Sequence, residues 1–595
     1  MPITVTVLDT AGIQPYIFGS NVLRENIGAS ELVHRATRLW AFEALLEELR
    51  TRGIASHHNL DPDAAKEDRV RDMYTPAFRV DGSDQTGAEV LYAGGGNTVI
   101  LFQASDPWEL ARAFVYRLSR RLLTDAPGLN LYAAHRAYKW GSTEAGESLP
   151  EIVIETIKDL GRRKGRDPGS LPALGWPVTA ACTSTGLPAN DRHPDRNGQT
   201  GSASRANRQV KVKWSMADLA TERLTNMFPW VGDAHFQWTA NFDELAGLSK
   251  RDESYVAVVH ADGNGMGRRI KDLTQYWSGR ATDPRGYVTA MRTLSNQVQD
   301  TSVTALKHTM RALTNQLARD NRDDPRQYAR QGDTHFFPVR PIVFGGDDMT
   351  LVCAGPWGLA IAQRYLWELE QLSLTEDPAD KPYACAGVAI VKTHYPFSQA
   401  YELSEALTKG AKKRADCLAM KRASALDWHL TTTGLHGDLG YIRRREYVVG
   451  HGQLTMRPLM LHAQGSLDHN DKREEWQTWR NWTNLIGLLN VFGDEGDWQE
   501  QHNKTMRLRE ALRRGPEGVA EFMIIFEEDE TDILRRARFE AATAPKEGWL
   551  WDDDKCLDPA KDQELQKSIG PRCTYFDAIE IADHCFELPN EQESA

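Results

Sequence analysis

At 595 residues the chain exceeds what a single compact core organises, so three or four domains are expected. It is 41% apolar and 26% charged, with no apolar run of about eighteen residues, which argues against a helical membrane span and for no membrane partner. A net charge of −12 excludes a surface coated uniformly for nucleic acid, which would have to meet a local patch on an acidic body. The stretch Met1-Pro2-Ile3-Thr4-Val5-Thr6-Val7 reads as a strand and lacks the basic start and cleavage site of an export signal. Seven scattered cysteines suit reduced thiols, so a cytoplasmic location is expected.

In chain order, a β-branched run from Ile3 to Leu8 leads through Asp9-Thr10-Ala11-Gly12 into a helix with apolar spacing from Leu32 to Leu49. Val90-Leu91-Tyr92 and Thr98-Val99-Ile100-Leu101-Phe102 then flank Gly94-Gly95-Gly96-Asn97, a strand–turn–strand hairpin. A helix near Trp108–Leu123 and a strand near Leu129–His135 complete the unit. Residues 141–250 form a polar, Gly/Pro-rich insertion with little periodicity, most loop-like between Asn190 and Asn207.

The second unit repeats the order. Tyr255–Val259 is a strand ending in His260-Ala261-Asp262-Gly263-Asn264-Gly265-Met266-Gly267, followed by a long helix through Met291, Leu306 and Leu317. Pro341–Phe344 and Met349–Val352 bracket Gly345-Gly346-Asp347-Asp348; a helix over Leu359–Leu372 and a strand over Ala384–Val391 follow. Strand–helix–hairpin–helix–strand is the split βαβ, or ferredoxin-like, plan. The expected fold is therefore α+β: a first palm-like domain at 1–140, the insertion at 141–250, a second palm at 251–432 and a helical C-terminal domain at 433–595. In the last, Trp479, Trp482, Ile486 and Leu489 share one helical face and read as packed core.

Phosphoryl transfer to a hydroxyl needs neutralised phosphates and an aligned attacking oxygen. Two divalent ions about 4 Å apart supply both, held by carboxylates converging from separate segments. Asp347 and Asp348 at a hairpin tip and Asp262 at a neighbouring strand end offer that convergence, and are the candidate catalytic and metal-binding residues. Gly345 and Gly346 clear side chains from the path of a triphosphate, and Gly263 opens a helix whose N–H groups suit phosphate. The tip of the first unit has no carboxylate, which fits either a site that receives a nucleotide without activating it or a plain tight turn. Lys412, on a basic helix from Leu403 to Lys413, is a candidate to touch phosphate, although such lysines commonly face solvent. The clusters Arg162-Arg163-Lys164 with Arg166, Arg205 with Arg208, Lys211 and Lys213, and Arg443-Arg444-Arg445 read as solvated faces or as RNA contacts.

These motifs resemble the large polymerase-like subunit of type III CRISPR effector complexes. Gly12-Ile13-Gln14-Pro15-Tyr16-Ile17-Phe18 resembles that family's opening segment, Ala93–Asn97 its first-palm hairpin, and His260–Gly267 with Gly345–Asp348 its second-palm metal loop and signature. Ala411-Lys412-Lys413 and Ser424–His429 resemble the segments that end that palm. The resemblance implies a nucleotidyltransferase that joins ATP into cyclic oligoadenylate messengers, with Mg²⁺ or Mn²⁺ on Asp262, Asp347 and Asp348, and with crRNA-guided effector subunits and target RNA as partners. Three departures stand out. No His-Asp dipeptide of the family's nuclease domain occurs; Cys182-Thr183-Ser184-Thr185-Gly186 keeps one cysteine of a zinc pair, so no zinc is expected; and Asn264 replaces a second acid. A diguanylate-cyclase-like enzyme and a catalytically silent RNA- or protein-binding scaffold are the alternatives. The first continues its Gly-Gly with Glu-Phe where this chain has Asp348-Met349; the second has no need of three converging acids.

Overall fold

Two sheets, each with four antiparallel strands built on the same order of elements, organise the molecule. The computed structural model describes residues 2–54, 56–60, 78–82, 86–144, 146–166, 178–193, 204–246, 255–323, 330–331, 334–417, 423–431, 438–461, 480–493, 498, 501–528, 533, 549–551, 571–586 and 588. In the first unit β1 (Pro2–Ala11) leads into helices α1 (Ile13–Phe18), α2 (Leu23–Thr37) and α3 (Leu39–Thr51). The hairpin β2 (Gly87–Gly94) and β3 (Asn97–Gln103), helix α4 (Pro107–Asp125) and β4 (Asn130–Lys139) follow. Strand order is β2-β3-β1-β4 with every pair antiparallel, the ferredoxin-like arrangement. The single helix expected through Leu32–Leu49 is broken at Arg38, whose φ of −125° and ψ of −83° leave the helical region.

The second unit contains β5 (Tyr255–Gly263), β6 (Val339–Val343), β7 (Asp348–Ala354) and β8 (Ala384–Lys392) in the order β6-β7-β5-β8, again antiparallel. Its first crossover is two helices, α7 (Met266–Ser278) and α8 (Pro284–Asp323), and its second is α9 (Gly358–Gln371). Helix α10 (Phe397–Cys417) then returns the chain to β9 (Ala425–Leu430), which pairs in parallel with β8 and widens the sheet. The hairpins match in detail: both carry a register shift, between Val90 and Tyr92 in one and between Pro341 and Val343 in the other.

The insertion at 141–250 is more helical than its polar composition suggested. It carries α5 (Leu149–Arg166) and α6 (Arg208–Met227). Buried Ile152, Val153, Thr156 and Leu160 give α5 an apolar stripe, and Val210, Ala217, Ala220 and Leu224 do the same for α6. Of the stretch 190–207, residues 194–203 lie outside the described residues. The basic groups expected on solvated faces are largely engaged: Lys213 is buried, its Nζ donating to Tyr16 O at 2.6 Å, and Arg443 forks onto Asp427 at 2.7 and 2.9 Å. Burial pulls the Lys213 ammonium down to about 8.

Helix α6 meets α2 where Gly28 leaves no room for a side chain: a Cβ there would sit 1.6 Å from Lys213 O. Gly28→Ala must push two buried helices apart, and the expected loss is about 3 kcal/mol in chemical denaturation. A loss under about 0.5 kcal/mol, the range of ordinary surface changes, would show that this contact is looser than described.

The described parts of 433–595 are mostly helical, with helices at Leu439–Tyr447, Trp482–Phe492, His502–Arg513 and Pro516–Ile525. They do not stand apart from the second palm. Leu459–Met460 adds an edge strand beside β9, and Trp428, Leu485, Leu508 and Phe576 share one core with β5 and α9. Trp482 and Leu489 are buried as expected, whereas Trp479 lies outside the described residues.

Candidate active site between the palms

The register of the second sheet sets Asp262 of β5 directly opposite Asp348 of β7. Opposed residues of an antiparallel pair project on the same face, so these two carboxylates share a side. Asp347 belongs to the tip, where the chain leaves the ladder after Val343. Gly263 N donates to Asp347 O at 2.9 Å, and a Cβ on Gly263 would come within 2.9 Å of the Asp347 Cβ. Gly263 is thus small because Asp347 packs on it. Gly345 has φ +92°, a left-handed conformation that favours glycine, and a Cβ there would meet Gln299 Nε2 at 2.8 Å. Gly346 faces open space.

One oxygen from each of Asp262, Asp347 and Asp348 lies within 4.8 Å of the others. Lys412, on α10, places its Nζ against the Asp262 carboxylate and donates to Gly263 O at 3.0 Å. Of the candidates from sequence, the three acids, Gly263 and Lys412 converge, and Gly345 and Gly346 form the adjoining tip. Asn264 turns away, its Nδ2 donating to Ala423 O at 2.9 Å. Three carboxylates against one ammonium leave two negative charges crowded together. Burial, then Asp262, raises the Asp347 carboxyl. Asp348 is exposed at its surface, yet desolvation by the surrounding protein and then Asp347 and Asp262 push its carboxyl up to about 8.

An all-oxygen, net-anionic donor set of this kind fits a hard divalent cation. Without such an ion Asp348 holds a proton that the unfolded chain has released, so stability from this group is present below 3.8 and is lost as pH rises to about 8. Mg²⁺ or Mn²⁺ should therefore raise the melting temperature most near pH 8. At a hundredfold excess over Kd the gain is about 2.7 kcal/mol. Asp347→Ala should show little metal-dependent shift; an equal shift in both proteins would place the ion elsewhere.

The first palm carries a reduced copy of this site; its acid-free tip was legible in the sequence, whereas the contact between Asp9 and Lys164 was not. Asp9 faces Asn97 as Asp262 faces Asp348, and Thr10 N donates to Gly96 O at 3.1 Å as Gly263 N does to Asp347 O. Three residues after each acid, Asp9 and Asp262, stands a left-handed glycine that opens a helix, Gly12 at φ 68° and Gly265 at φ 74°. Lys164 of α5 contacts the Asp9 carboxylate as Lys412 contacts Asp262. With its amide nitrogen turned inward, Asn97 donates to Asp9 at 3.2 and 3.3 Å. One acid, one amide and one lysine thus stand where the second palm has three acids and a lysine. The shared Asp-x-x-Gly spacing was the available signal.

The two palms pack reciprocally, each laying a helix on the sheet of the other. Tyr287, Val288 and Met291 of α8 cover the Asp9 face of the first sheet, while α2 packs over the Asp262 face of the second. Arg292 donates to Val90 O at 2.8 Å, and Ser30 Oγ donates to Ile342 O in return. Gln14 Nε2 reaches Glu405 Oε1 at 3.3 Å, and Phe18 stacks on Tyr401 at 3.7 Å between centroids. The segment after Asp9 is therefore pinned to the helix that carries Lys412.

The two matching sheets, with the acid trio on the second, define a tandem-palm fold. Residues 255–419 match the family model of Cas10/Cmr2, second palm domain, in line with the resemblance read from the motifs of that segment. No curated protein matches the chain. Among solved structures it is similar to Csm1 in T. onnurineus, with 13% identity, 98% of this chain and 69% of that chain covered, and TM-score 0.44. The Csm1–Csm4 cassette in complex with cA4 gives 13%, 98%, 69% and 0.43, and a type III-B Cmr-β apo state gives 9%, 72%, 70% and 0.38. Among the described residues no helix is long and apolar enough to cross a membrane.

Proposed function

We propose that the chain is a nucleotidyltransferase that joins ATP molecules into cyclic oligoadenylate-type messengers within a type III CRISPR defence system. The observation that carries this reading is the carboxylate trio with Lys412 at the inter-palm interface. Asp262, Asp347 and Asp348 would hold Mg²⁺ or Mn²⁺, which when bound neutralises phosphate charge and favours ionisation of the attacking hydroxyl. Lys412 gives up part of its contact with Asp262 to meet the triphosphate as a point charge. Gly346, with no side chain at the open tip, leaves room for phosphate against the backbone.

The acid-poor site at Asp9, Asn97 and Lys164 receives the second nucleotide. A sugar hydroxyl of one nucleotide attacks the α-phosphate of the other; the new phosphodiester forms as the bond to pyrophosphate breaks, and the hydroxyl proton leaves to solvent. The choice of adenine follows the family of the second palm. Subunits of a crRNA-guided complex and target RNA are the proposed partners and trigger.

Incubation with each NTP and Mg²⁺ or Mn²⁺, with products read by mass spectrometry, tests the reading. ATP should yield pyrophosphate and oligoadenylates. No pyrophosphate with any NTP, including after assembly with effector subunits and target RNA, would leave the scaffold reading in its place.

A further inference from the structure

The two palms differ at one sheet edge. In the second, β9 lies parallel to β8 from Cys385 to Ile390, and its Leu426, Trp428 and Leu430 enter the core shared with α9. In the first, β4 pairs with β1 on one side, and no described strand lies on the other. Tyr132 faces Asp9 as Cys385 faces Asp262, so the strand-free position runs along Tyr132–Ala137 and is the one that β9 fills in the other palm.

A groove of about 1100 Å³ occupies that position. Helix α4 forms one wall and exposes an apolar stripe towards it: Trp108 is 41% exposed, Tyr116 65% and Leu123 78%. Arg112 lines the same wall, Arg163 and Arg166 line the groove from α5, and no carboxylate is among its lining residues. Arg163 Nη1 donates to Ala133 O at 2.7 Å, which marks that carbonyl as directed away from β1 and capped by a side chain instead of a strand.

We propose that this edge of the first palm accepts an extended strand of a partner protein, laid parallel to β4, with alternate apolar residues and acidic flanks. An edge on which no described strand lies presents a row of backbone donors and acceptors that a strand satisfies in register. Alternate side chains of such a strand point to one face, where the stripe of α4 takes them as α9 takes Leu426, Trp428 and Leu430. The three arginines select acidic residues in the flanks and disfavour basic ones. Single-stranded RNA would also meet arginine and aromatic rings here, but it would leave the edge amides unpaired. The second palm shows that a strand is what fits the place.

The test uses the full chain and a panel of fluorescent synthetic peptides of about eight residues, the length of an ordinary strand, alternating Leu, Val or Trp with Ser and ending in Glu. At least one should bind saturably with Kd below about 100 µM, and Tyr116→Glu or Arg112→Glu should weaken it about tenfold or more. N-methylation of alternate peptide amides, which leaves the protein untouched, should abolish binding. Equal binding of the N-methylated peptides would overturn strand pairing. So would saturation by none of the panel below about 100 µM, or an oligoadenylate RNA that binds the groove in an Arg112-dependent way while no peptide does.

Discussion

Asp347→Ala is expected to remove oligonucleotide synthesis by about a thousandfold or more, which corresponds to about 4 kcal/mol of transition-state stabilisation. The same variant should fold and melt no lower than the parent. Asp347 holds its place through the backbone, because Gly263 N donates to its carbonyl, and alanine retains the Cβ that packs on Gly263. What the substitution removes is a carboxylate that burial and Asp262 already disfavour in charged form. In metal-free buffer near pH 8 the variant should melt slightly higher than the parent, since one member of a repelling trio is gone. A variant that melts well below the parent would give the acid a structural role, and a variant that keeps full activity would move the chemistry elsewhere.

Arg457→Ala should be among the most destabilising single changes in the chain, at about 3–5 kcal/mol, the range for one partner lost from a buried charge network. The Arg457 side chain has no exposed surface, and its Nη2 donates to Glu580 at 2.6 Å. Its Nε lies 3.3 Å from Asp577, and its guanidinium lies 5.0 Å from the ring centroids of Trp428 and Tyr447. Burial works against its charge, but Glu580 and Asp577 more than offset that. Tyr447 OH donates to Glu580 at 2.7 Å, and Met456 N to Asp577 at 2.6 Å. Without the arginine two buried acids lose their counter-charge, and the helix at Phe576–Ile581 loses its tie to β9. Urea titration followed by tryptophan fluorescence should show an early transition for the second palm and its C-terminal layer. A midpoint unchanged from the parent would show that the acids are solvated or protonated without cost.

The features legible in the sequence are those written in local pattern. The β-branched run Ile3–Leu8, the strand Tyr255–Val259 and the glycine tips of both hairpins pointed to two palms, the acids at the second tip and strand end to Asp262, Asp347 and Asp348, and a basic helix to Lys412. What stayed hidden depends on partners distant in sequence. Lys164 looked like one of a basic run, and only the return of α5 across the first sheet brings it to Asp9, 155 positions earlier. Lys213 reads as a solvent-facing cation, yet the close approach allowed by Gly28 buries it on Tyr16 O. Helix α5 was obscured because its apolar residues are interleaved with charges, as Glu151, Glu155, Lys158 and Asp159 fall among Ile152, Val153, Thr156 and Leu160. The region after 433 could be read as helical from its periodicity, but the core it shares with the second palm is a tertiary fact that no spacing encodes.

Equilibrium binding of a non-hydrolysable ATP analogue, by calorimetry on the full chain with Mg²⁺ or Mn²⁺, tests most directly whether the cleft joins two nucleotides. Two analogues should bind per chain, one lost in Asp262→Ala and in metal-free buffer, the other weakened about tenfold by Lys164→Ala while the first persists. A single metal-dependent site that Lys164→Ala leaves unchanged would contradict the two-palm account.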